Sequence, residues 1–122
     1  MRGLAIFGAV CGALGVALGA FGAHALRGTL DEAALRIWHT AVEYQLWHAL
    51  ALLLVSLMLP ASRWRRPSAV AFAAGIVLFS GSLYALALGA PRIVGAITPF
   101  GGIALIAGWF AAAMACANMH RD

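Results

Sequence analysis

Apolar residues dominate four stretches of this 122-residue chain, and short polar breaks separate these stretches. They cover approximately residues 3–23, 38–59, 69–89 and 99–118. Each contains about the 20 residues that an α-helix needs to cross roughly 30 Å of lipid hydrocarbon. The pattern predicts an all-α fold, an integral membrane four-helix bundle in one domain, with helices running approximately over 3–23, 30–59, 68–89 and 99–118.

Three of the helix starts carry local signals. Thr29 with Glu32 three residues later fits a capping box, so helix two is expected to begin near residue 30. Because the apolar stretch begins later, the first residues of this helix predict a short amphipathic turn at the membrane interface. Pro67 is expected to start helix three. Thr98-Pro99 is expected to form the N-cap and the first residue of helix four.

The triplet Ala23-His24-Ala25 has the small-x-small form of a signal-peptide cleavage site. The apolar run before it is longer than the roughly 7–15 residues of a signal-peptide core, and the chain after it is equally apolar. We therefore expect an uncleaved corner between two helices. The chain is 64% hydrophobic and 10% charged, whereas soluble proteins are about 45–50% apolar and about 25% charged. The excess apolar surface must face a lipid bilayer.

Eight arginines and no lysine give a formal net charge of +4. They flank the apolar stretches without forming a basic face, so nucleic acid is not an expected partner. Arg2, Arg63, Arg65, Arg66 and Arg121 fall on one side of the predicted membrane, against Arg27, Arg36 and Arg92 on the other. Since arginine is enriched in cytoplasmic loops, the count predicts that both termini are cytoplasmic.

The sequence gives little support for a metal, a cofactor or an enzymatic reaction. Cys11 and Cys116 are isolated in apolar stretches and are interpreted as small buried hydrophobes. A metal site from His24, His39 and Glu43 is conceivable, but no tight ligand spacing is present. The serines of helix three lack an accompanying Asp and oxyanion loop, so nucleophilic hydrolysis is the least supported activity.

Five glycines form a seam along helix one. They are Gly8, Gly12, Gly15, Gly19 and Gly22, at spacings of 4, 3, 4 and 3 residues. At about 100° per residue they lie close to one line on the helix. Small residues let two membrane helices approach closely, so this seam is predicted to pack against another helix. A helix of the same chain is favoured; a second copy or another membrane protein is the alternative.

Polar side chains within the apolar stretches concentrate toward the predicted outer side. They are His39, Glu43, Tyr44, Gln45 and His48 in helix two and Ser80, Ser82 and Tyr84 in helix three, with His24 at the corner and Thr98 at the start of helix four. A rise of about 1.5 Å per residue places Glu43 and Tyr84 about 8 Å deep. The same rise places His48 and Ser80 about 14–15 Å deep. We interpret these ten residues as a candidate binding cluster.

Glu43 is the residue that most needs an explanation. A carboxylate inside the hydrocarbon is costly unless it is paired, neutralised or facing water. One interpretation is a structural pin, in which Glu43 pairs with His39, with His24 or with the N-terminal end of helix four. The other is a proton or solute site. The pin is favoured because Glu43 is shallow enough to meet water.

Four segments together resemble the YgdD/YwdK-like family of small bacterial inner-membrane proteins, a family of unknown function. The segments are "GAFGAHAL", "TAVEYQLWHALALLL", "FSGSLYAL" and "ITPFGGIALIAGW", in this order. The resemblance covers nearly the whole chain and implies four membrane helices and a multi-pass inner-membrane protein. Its recurrent positions here are His24, Tyr44, Gln45, His48, Ser80, Ser82, Tyr84, Thr98, Pro99, Gly101 and Gly102. It implies no activity.

Two functions of different classes follow from these observations. The favoured one is a structural or accessory membrane subunit whose polar cluster fastens the fold. The alternative is a binding or transport module for a small polar solute, a proton or a lipid headgroup. A dry cluster with every polar group paired would support the first function, whereas an open, water-filled pocket ending at His48 would support the second.

Overall fold

The structure is a computed structural model that describes residues 1–119. Its helices are α1 (Arg2–His24), α2 (Glu32–Met58), α3 (Arg65–Gly75), α4 (Gly81–Ala87) and α5 (Thr98–Ala117). A π-helical turn (Ile76–Ser80) joins α3 to α4, and a 3₁₀ helix (Arg92–Ala96) precedes α5. Arg121, which enters the predicted orientation, lies outside the described residues.

Within residues 1–119, four helical segments are long and apolar enough to cross a membrane. They are Arg2–His24, Glu32–Met58, Arg65–Ala87 and Arg92–Ala117. The third segment combines α3, the π-helical turn and α4, and the fourth combines the 3₁₀ helix and α5. Large apolar side chains remain exposed along all four segments, as expected for a protein whose outer surface contacts lipid. The predicted all-α membrane bundle of four helices is confirmed.

α2 is the central helix of the bundle. It packs against α1 and also against α3, the π-helical turn and α4, while α5 packs against α3 and the same turn. The main core is built around Leu52, Phe72, Ile76 and Leu105. A smaller cluster around Trp38 and Val42 closes the end of the bundle where the chain turns from α1 into α2. Because α1 packs mainly against α2, it lies at the edge of the bundle.

The predicted capping box at the start of α2 is wrong. Residues 26–30 form a turn, in which the N–H groups of Thr29 and Leu30 both bond to the Leu26 carbonyl. The Thr29 hydroxyl lies 3.5 Å from the Ala25 carbonyl instead of capping α2. Asp31 is the N-cap, and its carboxylate accepts a 2.8 Å hydrogen bond from the Ala34 N–H. The helix therefore begins two residues later than predicted, at Glu32.

The signals at the other two helix starts are displaced in a similar way. α3 begins at Arg65, so Pro67 lies in the first turn and does not start the helix. α5 begins at Thr98, and its N-cap is Ile97, which makes no side-chain cap. The prediction of Thr98 as an N-cap is wrong because its hydroxyl is engaged by Ser82 from the neighbouring span.

Two glycines let α5 approach the third span closely. A Cβ on Gly108 would stand 2.7 Å from Cδ1 of Phe72. A Cβ on Gly101 would overlap the backbone of Leu78 and Phe79 in the π-helical turn. Such turns are rare and frequently occur at functional sites. The close contact brings the start of α5 beside the first residues of α4.

Candidate functional site

Gln45 joins three helices in the half of the bundle that contains the turn between α1 and α2. Its side chain is 5% exposed; Nε2 donates a 2.8 Å hydrogen bond to the Cys11 carbonyl of α1. Its Oε1 accepts a 2.7 Å hydrogen bond from the Tyr84 hydroxyl of α4. Gly15, one turn after Cys11, lets α1 approach α2 beside this bond, because a Cβ there would stand 2.6 Å from Cδ2 of Leu46. Both heteroatoms of the Gln45 amide are thus engaged by other helices.

Two serines extend these interhelical bonds. Ser80 is 1% exposed and donates a 2.7 Å hydrogen bond to the Ala41 carbonyl of α2. Ser82 donates to the Phe79 carbonyl at 3.0 Å, and its oxygen then accepts from the Thr98 hydroxyl. The Ser80 bond holds the third span against α2, and the bond between Ser82 and Thr98 holds it against α5. A backbone carbonyl that already accepts a bond within its own helix can accept another from a Ser or Thr hydroxyl, and this use of Ser and Thr is common in membrane helices.

His48 connects α2 to α5. Its Nδ1 lies 2.7 Å from the Tyr44 carbonyl, and the Trp109 indole N–H donates to its Nε2 at 3.0 Å. A carbonyl can only accept and an indole N–H can only donate. These partners therefore assign a neutral imidazole with its proton on Nδ1. In this state neither ring nitrogen is left for a ligand.

Trp38, Ser68 and Trp109 belong to the same system of bonds and were missed by the sequence analysis. Trp38 donates to the Leu18 carbonyl at 2.9 Å, and Ser68 donates to the Gly108 carbonyl at 2.8 Å. The two tryptophans could have been recognised from the sequence. A buried indole N–H needs a hydrogen-bond acceptor, and a tryptophan deep within a membrane span lies away from the membrane interface that tryptophan prefers. Ser68 carried no comparable signal, since any serine of a membrane helix can bond within its own helix.

We use the name polar network for Trp38, Gln45, His48, Ser68, Ser80, Ser82, Tyr84, Thr98 and Trp109. Their side-chain hydrogen bonds link α1 to α2, α2 to α4 and α5, and α3 and α4 to α5. Because lipid offers no hydrogen-bonding partners, each of these bonds replaces one that water would otherwise supply. The network therefore ties every span to at least one neighbour.

His24, His39 and Glu43 are not brought into the polar network. All three side chains are exposed, and the side-chain bonds described above come from other residues. Glu43 and Gln45 are two residues apart, or about 200° around α2, so they lie on nearly opposite faces. The expected pairing of Glu43 with His39, His24 or the start of α5 is not present within residues 1–119. The interpretation of Glu43 as a structural pin is therefore wrong, since its side chain faces away from the bundle.

Tyr44 borders a lateral groove of about 540 Å³ between α2, the π-helical turn and α5. The groove is lined by Tyr44, Trp47, His48, Phe79, Gly102, Leu105, Ile106 and Trp109. Trp47, Ile106 and Trp109 are each more than half exposed, so the groove opens toward the lipid. The pocket that ends at His48 is therefore aromatic and apolar. His39 lines a separate, smaller pocket of about 260 Å³ with Arg27 and Trp38, where α1 ends and α2 begins.

Four of the five seam glycines lie against α2 of the same chain. A Cβ on Gly8, Gly15, Gly19 or Gly22 would stand 2.5–3.2 Å from a side chain of α2. At Gly22 the neighbour is the Trp38 indole, and at Gly19 it is Val42. Gly12 has no such neighbour within 4 Å. A second chain could not occupy the seam at the four packed positions.

Within residues 1–119, no group of three or more His, Cys, Asp or Glu side chains could hold a metal ion. Cys11 is buried beside the core and Cys116 is exposed, and neither forms a disulfide. The hydroxyls of Ser80 and Ser82 bond to helix backbone and to Thr98, not to a general base. The arrangement fits helix fastening better than nucleophilic chemistry.

Comparisons with known proteins give a consistent family. The sequence profile of a family described as "Protein of unknown function (DUF423)" matches residues 18–102. The YwdK membrane protein of Bacillus subtilis (strain 168) is 46% identical over 114 residues, which cover 89% of this chain and 91% of the relative. The YgdD inner membrane protein of Escherichia coli (strain K12) is 46% identical over 110 residues, which cover 88% and 84%.

A third relative, the SH2409 membrane protein of Staphylococcus haemolyticus (strain JCSC1435), is 42% identical over 113 residues, which cover 89% of this chain and 90% of the relative. No solved structure matches the chain significantly. The identity and coverage of these relatives, with four membrane-spanning helices, establish the resemblance seen in the sequence. The chain belongs to the DUF423 family of multi-pass membrane proteins, whose molecular activity is unknown.

Proposed function

We propose that this protein is a structural or accessory subunit of the bacterial inner membrane, and that its polar network holds the bundle together instead of binding a solute. The observation that carries the proposal is the Gln45 amide, whose two heteroatoms are bonded to Cys11 of α1 and Tyr84 of α4. A residue that binds a polar ligand must present a donor or an acceptor to it. Both heteroatoms of Gln45 already bond within the chain, and its side chain is only 5% exposed, so a ligand has little access to the second N–H of the amide.

The inner half of the bundle supports the same conclusion. Between the polar side chains around Gln45 and Ser68 near the start of α3, the core consists of Leu52, Phe72, Ile76 and Leu105, and these side chains are at most 5% exposed. A proton or solute pathway needs a continuous row of polar groups or waters through the membrane. This apolar layer interrupts any such row beneath His48.

The groove beside His48 also argues against a polar ligand. Its walls are aromatic and aliphatic side chains, and the two ring nitrogens of His48 are bonded to Tyr44 and Trp109. A small polar solute entering the groove would lose its hydration and would meet mainly apolar walls, with the Tyr44 hydroxyl and the Trp47 indole N–H among the few polar groups of the lining. The alternative of a transport module is therefore the weaker one.

Our proposal places both termini in the cytoplasm. The loop between α2 and α3 carries Arg63, Arg65 and Arg66, and cationic side chains are enriched in cytoplasmic loops. Two of these arginines are held by local contacts. The Arg63 guanidinium lies 5.1 Å from the centre of the Trp64 ring, and Arg65 donates to the Leu59 carbonyl at 2.9 Å. In this orientation Gln45, Ser80, Ser82 and Tyr84 lie toward the outer leaflet, and Ser68 lies toward the inner one.

The substitution Gln45→Leu tests the role of the network. The purified protein is melted in detergent and is also reconstituted in liposomes that report proton flux. Thr40→Val is the matched control, because the Thr40 hydroxyl bonds only to the Arg36 carbonyl of its own helix. We expect Gln45→Leu to melt lower than the parent and the control, and we expect the parent liposomes to show no flux above empty liposomes.

Proton flux in the parent that Gln45→Leu abolishes, with an unchanged melting temperature, would contradict the proposal. The accessory role is tested separately by native mass spectrometry of the protein extracted in lipid nanodiscs from its own membrane at natural abundance. We expect a complex that contains a different membrane protein in a fixed ratio. Its absence would contradict the accessory role and leave the fastening role of Gln45 intact.

A further inference from the structure

Glu43 is an ionisable side chain that faces out of the bundle within a membrane span. It lies in α2 about 8 Å below the outer end of the apolar stretch, and its side chain is exposed. An isolated carboxylate at such a depth is unfavourable in hydrocarbon, whether it is charged or neutral. Since residues 1–119 of its own chain supply no partner, the Glu43 carboxylate needs a hydrogen-bonding partner from outside the chain.

The exposed face of α2 has the form of a helix-pairing surface. It consists of Arg36, His39, Glu43, Trp47, Leu50, Leu54 and Leu57, all of which are exposed. We call this set the α2 stripe. Its spacings of 3, 4, 4, 3, 4 and 3 residues average 3.5 residues per turn, the period at which two helices keep a continuous seam while coiling left-handedly around each other.

We infer that a second copy of this chain docks on the α2 stripe, with each Glu43 carboxylate bonded to the partner copy's His39. Two copies share one orientation in the membrane, so a two-fold axis along the membrane normal brings their α2 helices side by side and parallel. His39 lies four residues, or about 6 Å, closer to the surface than Glu43. Side chains of these lengths reach each other across a parallel helix pair at that offset.

The charge pattern favours a second copy over another protein or lipid alone. The α2 stripe carries both the acceptor, Glu43, and the donor, His39, so two copies are self-complementary. In the dimer the two Glu43 carboxylates and the two His39 imidazoles alternate around the two-fold axis, so each carboxylate has imidazoles as neighbours. Lipid chains suffice for Leu50 and Leu54, which are 62% and 59% exposed, but they offer nothing to Glu43.

Reciprocal substitutions test the pairing. Glu43→His and His39→Glu each place like groups around the axis, and the double substitution restores one carboxylate and one imidazole on each chain. We measure dimerisation in liposomes by single-molecule photobleaching over a range of protein-to-lipid ratios. Each single variant is expected to weaken association roughly tenfold, and the double variant to recover most of it.

Cysteine cross-linking tests the geometry. In a variant lacking Cys11 and Cys116, Leu50→Cys is expected to form disulfide-linked dimers in the membrane. Phe110→Cys is the matched control, because Phe110 is 71% exposed on α5 and lies outside the α2 stripe. Melting in a detergent that keeps the chain monomeric checks the fold, since the side chains of Glu43 and His39 make no bond to another residue of the described part of the chain, residues 1–119.

Several outcomes would overturn the inference. They are a parent that stays monomeric at high protein-to-lipid ratio, equal cross-linking of Leu50→Cys and Phe110→Cys, a double variant no better than the single ones, and cross-linking of Leu50→Cys to another protein. None of these results bears on the role of Gln45, so the inference and the proposed function fail independently.

Discussion

The Tyr84 hydroxyl donates a 2.7 Å hydrogen bond to Oε1 of Gln45 and thereby joins α4 to α2. The same amide reaches α1 through the Cys11 carbonyl, so one side chain holds three helices in register. Tyr84 is positioned for this bond by its ring, which packs edge-on against Trp38 with the ring centroids 4.7 Å apart. The pair belongs to two of the segments on which the family resemblance depends.

Tyr84→Phe removes this hydroxyl and keeps the ring against Trp38. We expect the free energy of unfolding to fall by about 0.6 kcal/mol, the average for interhelical hydrogen bonds measured in a membrane protein. Unfolding by a denaturing detergent measures the loss. Because Gln45 and Tyr84 share one bond, the double variant with Gln45→Leu is expected to lose less than the sum of the single losses. Strict additivity would show that the bond contributes nothing in the membrane protein.

His48 is expected to occupy a single tautomer. Its partners require the proton on Nδ1, because the Tyr44 carbonyl accepts and the Trp109 indole donates. Nitrogen-15 NMR of histidine-labelled protein in mildly alkaline buffer distinguishes the two ring nitrogens. We expect a protonated Nδ1 and an unprotonated Nε2 for His48, and averaged signals for the exposed His24. Trp109→Phe should bring the His48 signals closer to the averaged ones; a proton found on Nε2 in the parent would contradict the assignment.

The orientation in the membrane is tested by labelling single cysteines. In a variant lacking Cys11 and Cys116, Ser62→Cys lies in the arginine-rich loop and Thr29→Cys in the loop between α1 and α2. A membrane-impermeant thiol reagent applied to intact spheroplasts is expected to label Thr29→Cys and to label Ser62→Cys only after the membrane is opened. The reverse pattern would place Gln45 and its bonds to α1 and α4 toward the cytoplasm.

The sequence predicts how deep a residue lies in the membrane better than it predicts the direction in which its side chain points around the helix. The four spans follow from length and apolarity, and matched counting from the helix ends placed Gln45 and Ser80 in the outer half. Glu43 and Gln45, however, have similar depths and opposite directions. In a soluble protein the polar face of a helix marks the outside, but here lipid and core are both apolar, so the pattern of α2 carries little directional information.

The contact between α5 and the third span was beyond sequence analysis for a related reason. The residue types at positions 76–80 do not predict a π-helical turn, because packing against a neighbouring helix determines where such a turn inserts its extra residue. The sequence predicts a local role for the Thr98 hydroxyl, as a helix cap, whereas in the structure this hydroxyl forms a hydrogen bond with Ser82 of another span. Gly101 likewise shows its role only once Phe79 is placed against it.

Gly101→Ala tests whether this close contact is essential to the fold. The added methyl would overlap the backbone of Leu78 and Phe79, so the π-helical turn and α5 must separate. Forcing a methyl into a packed site typically costs about 1–3 kcal/mol, and backbone atoms cannot rotate away as a side chain can. Gly12→Ala is the matched control, since its methyl would meet nothing within 4 Å. We expect the control to be at least as stable as the parent, because alanine has a higher helix propensity than glycine. Equal changes in stability for the two variants would show that the close contact at Gly101 is not essential to the fold.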